Sequence, residues 1–206
     1  MIAKKNIKFI IFDAYGVCLT GGYPDTCRYL AKKFNRDWQD IYAVLYTKYF
    51  NQAATKQITQ QAAWAKALKE LNFPLTVAAV KRIHYRLMGL NWPVLKIVQK
   101  ISEKVPVLLL SKNTRSQFKD INNKFPRLRQ IFGQHIINTW EYNLPKASPE
   151  TLAMIFKRYH ITDPATVVSI DDQDNNLVAA RELGVNAILY RNFGQFKREL
   201  ARLINI

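Results

Sequence analysis

With 206 residues, 49% of them apolar, the chain is long enough for one α/β domain with an inserted subdomain and apolar enough to bury a core, which excludes an intrinsically disordered protein. Its 31 Lys and Arg against 15 Asp and Glu give a formal charge of +16, a field that gathers anions, small or polymeric, but is spread too evenly to choose among them. No stretch approaches the ~20 apolar residues that cross a bilayer, so a soluble, cytoplasmic protein with no membrane partner is expected.

The chain opens MIAKKNIKFIIFDAYG. Lysines ahead of an apolar run resemble a signal peptide, yet Ile7 to Phe12 is too short for one and ends on Asp13, so a buried strand is expected there. Cys18 and Cys27 have neither C-x-x-C spacing nor a companion His, and read as reduced thiols. From about residue 22 to 91 the periodicity turns helical: Ile41, Val44 and Leu45, then Ile58, Ala62, Ala65 and Leu68, then Val77, Val80, Ile83 and Leu87. Pro24, Asn72-Phe73-Pro74 and Asn91-Trp92-Pro93 punctuate this stretch, giving about four helices able to pack as a small bundle. Tyr42, Tyr46 and Tyr49, with Trp38 before them, could stack bases but fit the packing face of a helix better. His84, His135 and His160 lie far apart, without metal-ligand spacing.

A second buried strand is expected over Val105 to Leu110, ending in Ser111, Lys112, Asn113 and Thr114; Thr114 with Gln117 reads as a capping box for the next helix. Ser148, Pro149 and Glu150 open a helix to about Tyr159. Thr166 to Ile170 forms a third strand ending in Asp171 and Asp172, and Asn186 to Tyr190 a fourth after the helix stop at Gly184. Alternating strands and helices predict a doubly wound parallel sheet, whose ligands lie beyond the carboxyl ends of the strands. The expected domains are a Rossmann-like core over 1–21 and 92–206 and a helical subdomain over 22–91.

Four polar clusters thus fall at one end of the sheet: FDAYGV, LLLSKNT, LPKASPE and SIDDQDNNLVAARELGV. In order and spacing they resemble the four motifs of the haloacid dehalogenase (HAD) superfamily, over nearly the whole core, and the helical insertion sits where one large subgroup of that superfamily carries its cap. The resemblance implies a hydrolase in which Asp13 is the nucleophile and Lys146 pairs with it. It implies that Ser111, Lys112 and Tyr15 border the substrate, and that Mg2+ is held by Asp13, the Tyr15 carbonyl, Asp171 and Asp172. A carboxylate suits the role of nucleophile because it is ionised at pH 7 and splits one displacement into two easier ones.

Two positions depart from the pattern. Tyr15 stands where most phosphatases of the superfamily carry a second aspartate as general acid and base, and Lys112 where an Asn commonly follows the serine. DAYG also resembles the opening of the 2-haloacid dehalogenases, but that branch uses no metal and lacks paired aspartates. The expected activity is therefore a magnesium-dependent phosphomonoesterase on a small phosphorylated metabolite. The alternatives are a decayed HAD-fold protein that binds nucleic acid or an acidic partner, and a 2-haloacid dehalogenase.

Overall fold

A computed structural model describes residues 6–204; the opening lysines Lys4 and Lys5 lie outside them. Among the described residues the strands are β1 (Phe9–Asp13), β2 (Leu19–Thr20), β3 (Gly89–Leu90), β4 (Val107–Ser111), β5 (Ile136–Asn138), β6 (Val167–Asp171) and β7 (Asn186–Leu189). The helices are α1 (Tyr23–Phe34), α2 (Trp38–Tyr42), which runs through a π-helical stretch (Ala43–Phe50) into α3 (Asn51–Ala54), α4 (Gln60–Glu70), α5 (Val77–Leu87), α6 (Trp92–Ser102), α7 (Arg115–Lys124), α8 (Pro126–Phe132), α9 (Pro149–Arg158), α10 (Val178–Glu182) and α11 (Phe193–Leu203). Two compact units result: one holds the sheet, with residues up to Leu19, Leu90–Lys112 and those from Phe125 onward; the other holds Thr20–Gly89 and Asn113–Lys124.

The sheet unit is a five-stranded parallel sheet in the order β5-β4-β1-β6-β7, the doubly wound α/β architecture that the alternation predicts. Every residue of β1, β4 and β6 is buried, because helices cover both faces and leave no alternation of polar and apolar positions. On one face Phe9 and Ile11 of β1 pack with Leu152 and Ile155 of α9 and Ala179 and Ala180 of α10. On the other, Phe12 meets Phe132 of α8 and Phe196 of α11 edge-on, with ring centroids 6.3 and 6.4 Å apart, a favoured aromatic geometry. The edge strand β5 carries no periodic signal in the sequence, since it has three residues, and only pairing with β4 (Leu110↔Ile137) defines it.

In the helical unit α1, the continuous helix over 38–54, α4 and α5 make the four expected helices. The buried face of α4 is Ala63, Trp64, Ala67 and Leu68, one position out of phase with the expected Ala62 and Ala65. Alanines and Trp64 on neighbouring positions blur the period, and Ile58 precedes the helix altogether. Tyr42, Tyr46 and Phe50 stack ring on ring, at centroid distances of 4.9 and 5.0 Å, so this stripe packs internally. The unit also takes in α7, which the expected boundary at residue 91 left with the core.

The reason for that difference is a directional chain of buried hydrogen bonds. The Thr114 hydroxyl donates to Gln60 Oε1 (2.9 Å), Gln60 Nε2 to the Tyr23 hydroxyl (2.9 Å), and Tyr23 to Gln117 Oε1 (3.2 Å). Gln117 Nε2 then faces His84 Nε2 (3.5 Å), and His84 Nδ1 faces Thr26 Oγ1 (2.9 Å), whose own proton goes to the Gly22 carbonyl (2.7 Å). This order fixes the His84 tautomer as Nδ1–H. It also explains why the capping box is only half made: the Gln117 amide N–H reaches Thr114 Oγ1 at 3.3 Å, but the Gln117 side chain turns into the chain instead.

Burial, helped by the charge of Lys81, pushes His84 down from 6.5 to about 3. The unfolded chain takes up a proton near pH 6.5 that the folded protein refuses until about pH 3, so the stability present above that window is lost as pH falls through it, by about 1.4 kcal/mol per pH unit. Urea unfolding should show a drop of about 2 kcal/mol between pH 7 and pH 5 that is absent in His84→Gln. Equal losses in the two proteins would contradict this assignment.

Candidate active site

Because β1 and β6 are parallel neighbours, with Phe12 opposite Ile170, Asp13 and Asp171 emerge side by side at their carboxyl ends. Asp172 follows directly, and one oxygen from each of Asp13, Asp171 and Asp172 lies within 4.8 Å of the others. Asp13 and Asp171 are 5% and 4% exposed, whereas Asp172 keeps solvent access. Three carboxylates at this separation repel one another strongly when water is excluded.

Lys146 relieves part of that repulsion. Its Nζ bridges Asp13 Oδ1 at 2.5 Å and Asp171 Oδ2 at 2.6 Å, from a loop whose Pro145 carbonyl accepts the Thr151 hydroxyl of α9. Asp171 is further fixed through Oδ1, which accepts from the Gln173 amide (2.9 Å) and from Asn176 Nδ2 (3.0 Å). Its acceptor sites are thus largely committed, while those of Asp13 and Asp172 are less so.

One ammonium does not balance three carboxylates. Burial, against the pull of Lys146 and with the push of Asp171 and Asp172, holds the Asp13 carboxyl well above the ordinary carboxylate range. Partial burial and Asp171 likewise raise Asp172. Lys146 is raised despite its burial, by Asp13 and Asp171, so it stays charged at any ordinary pH. Lys112 is lowered, by burial first and then by Lys146, which brings a second lysine into the field of the first. The Cys18 thiol beside this cluster is pushed far up by burial and by Asp13, so it is neither a nucleophile nor a ligand at neutral pH.

Ser111 ends β4, the other neighbour of β1, and is 1% exposed. Tyr15, half-buried, forms an isolated bridge with Leu19 in the turn that follows β1. Between them the sequence placed Asp13, Lys146, Ser111, Lys112, Tyr15, Asp171 and Asp172 at one end of the sheet, and the sheet unit carries all of them there. Three contributors escaped sequence reasoning as site residues. Asn176 and Thr151 orient Asp171 and the Lys146 loop, and Gly16, at φ 81°, passes so close to Asp172 that a Cβ would overlap its carboxylate. The glycine in FDAYGV was a usable signal for Gly16; Thr151 had none.

Chemically, the cluster can present an anionic oxygen nucleophile, a fixed cation and a hard oxygen-ligand set at one end of the sheet. No helix among the described residues is long and apolar enough to cross a membrane. No curated protein sequence matches the chain. Among solved structures, a HAD family enzyme from Bacteroides thetaiotaomicron superposes with a TM-score of 0.75 at 22% identity, over 96% of this chain and 100% of that one. The same enzyme in complex with magnesium and inorganic phosphate gives 0.71 at 22% identity, over 90% and 94%. An L-2-haloacid dehalogenase from Xanthobacter autotrophicus, with chloropropionic acid covalently bound, gives 0.65 at 15% identity, over 95% and 82%. At these identities the likeness is one of fold. The haloacid dehalogenase-like hydrolase family matches the sequence itself over residues 7–184, and the chain is a hydrolase belonging to that family.

Proposed function

We propose that this hydrolase is a magnesium-dependent phosphomonoesterase acting on a small phosphorylated metabolite through an aspartyl-phosphate on Asp13. The observation that carries this reading is the excess of clustered carboxylate: Asp13, Asp171 and Asp172 within 4.8 Å against the single ammonium of Lys146. A hard divalent cation bound there would neutralise both the nucleophile and the incoming phosphate, and an all-oxygen set with room for water suits magnesium. Asp13, Asp172 and the Tyr15 carbonyl would hold it, with Asp171, already bonded to Lys146 and Asn176, contributing directly or through water. The fold neighbour that binds magnesium together with phosphate supports the same choice.

In this reading Asp13 attacks phosphorus with one carboxylate oxygen while Lys146 holds the other and meets the phosphate charge. Ser111 and the amide after it receive the remaining phosphoryl oxygens, and Lys112 adds a cation at the same edge. The bond to the leaving oxygen breaks, that oxygen takes its proton from water, and a second water then hydrolyses the aspartyl-phosphate to restore Asp13 and release inorganic phosphate. Tyr15 leaves that oxygen without a carboxylic acid to protonate it, so turnover is slow; Tyr15→Asp should raise kcat by about 10²-fold. An unchanged or lower kcat with the fold intact would show that protonation is not what limits the enzyme.

Gly16 bears on the metal rather than on the chemistry. Gly16→Ala should cost about 1–3 kcal/mol for the backbone alone and, by displacing Asp172, weaken magnesium binding about 10- to 100-fold, read by calorimetric titration. Unaltered affinity would remove Asp172 from the ligand set. The function as a whole is tested by phosphate release from p-nitrophenyl phosphate and a panel of sugar phosphates with magnesium or EDTA, alongside halide release from 2-haloacids. Magnesium-dependent phosphate release supports the proposal, and EDTA-resistant halide release without phosphate release would replace it with a dehalogenase.

A further inference from the structure

Away from the carboxylate cluster, the sheet unit carries an open groove of about 530 Å³ between α6 and α11. Trp92, Pro93, Lys96, Ile97 and Lys100 of α6 line one side, and Phe193 and Lys197 of α11 the other. Trp92 is 47% exposed, the most exposed large apolar side chain among the described residues. No carboxylate lines the groove, and none of its three lysines forms an ion pair among the described residues.

We infer that this groove binds a single strand of nucleic acid, its phosphates on Lys96, Lys100 and Lys197 and a base stacked on Trp92. Residues 92, 96 and 100 recur every four positions on one side of α6, so their Cα atoms follow one another about 6 Å apart along the helix, comparable to the spacing of successive phosphates on an extended strand. A ring beside a line of cations is the combination by which proteins hold single strands without regard to sequence. The overall charge of +16 draws polyanions to the whole surface, but here three lysines without ion pairs among the described residues line one groove with Trp92 and Phe193. An anionic lipid surface fits less well, because Trp92, Pro93, Ile97 and Phe193 are the groove's only apolar residues, short of the broad apolar face that inserts below lipid headgroups.

The test titrates the full chain against a fluorescein-labelled 20-nucleotide single strand of mixed sequence, by anisotropy, at 50 and 200 mM salt. Three phosphate contacts predict about 20-fold weaker binding at the higher salt. Lys96→Glu/Lys100→Glu/Lys197→Glu should weaken binding about 10-fold or more and flatten the salt dependence. A control with the same charge change on exposed positions of the helical unit, Lys32→Glu/Lys66→Glu/Lys69→Glu, should stay within about threefold. Trp92→Ala should lose about 10-fold, with circular dichroism confirming that all variants fold. Equal losses in the two triple variants would reduce the effect to net charge and overturn the groove. So would absence of binding, or binding to phosphatidylserine vesicles but not to the strand.

Discussion

Asp13→Asn is expected to abolish turnover while making the metal-free protein more stable. The first effect follows from the role proposed for Asp13: an amide oxygen does not form the phosphoryl ester, so kcat should fall by about 10⁴-fold or more. The second follows from the site's electrostatics. Burial and two neighbouring carboxylates raise the Asp13 pKa even though Lys146 opposes them, so its ionised form is a net cost to the fold at neutral pH. An aspartate raised in this way destabilises above its folded pKa, and the apo protein recovers stability as pH falls into the window between the folded value and 3.8. Asparagine has the same shape and no charge, and still accepts from Lys146. Urea unfolding in EDTA should therefore give a higher unfolding free energy than wild type at pH 7, and this gain should shrink when magnesium is added to both proteins. Loss of activity together with loss of stability would point to a structural role for Asp13 instead.

Lys146→Ala should act in the opposite direction on stability and in the same direction on rate. Its Nζ is the cation found between Asp13 and Asp171, in a side chain only 10% exposed, and removing one member of a buried charge cluster costs about 3–5 kcal/mol. In EDTA the variant should melt well below the wild type. With excess magnesium most of the loss should return, because a divalent ion can take over the neutralisation and no longer competes with the ammonium. The stabilisation by magnesium is thus larger in the variant than in the wild type. Activity should remain about 10²-fold or more below wild type even then, since the phosphate has lost its fixed cation. Lys146→Arg should not restore it, because the planar fork does not fit a point occupied by one tetrahedral ammonium. A variant as stable as wild type in EDTA would show that Lys146 does not balance these carboxylates.

Much of this was legible in the sequence because the strands that build the site are buried on both faces and end abruptly in polar residues. Ile7 to Phe12 and Val105 to Leu110 give β1 and β4 within two residues at either end, and Asp171 with Asp172 marks the end of β6. The order of the four motifs along the chain was sufficient to bring Asp13, Lys146 and the aspartate pair to one place, since parallel strands all present their carboxyl ends on the same side. What stayed illegible depends on contacts between residues distant in sequence. β5 exists only as a partner of β4. The attachment of α7 to the helical unit rests on the chain through Gln60, Tyr23, Gln117 and His84, five polar residues with Thr114 whose types say nothing of their burial. In α4 the buried face differs in phase from the periodic expectation because Ala62, Ala63 and Ala65 are equally apolar and only packing separates them. The groove between α6 and α11 joins residues about a hundred positions apart, and no motif announces it.

Phosphate carried on Asp13 is detectable by mixing the protein with a 32P-labelled phosphomonoester and magnesium, quenching in acid within the first turnover, and measuring label retained on the polypeptide. The expected result is acid-stable, hydroxylamine-labile label on the wild type, lost in EDTA and in Asp13→Asn. Label that survives in Asp13→Asn, or phosphate release by the wild type with no protein-bound label at any time, would contradict it.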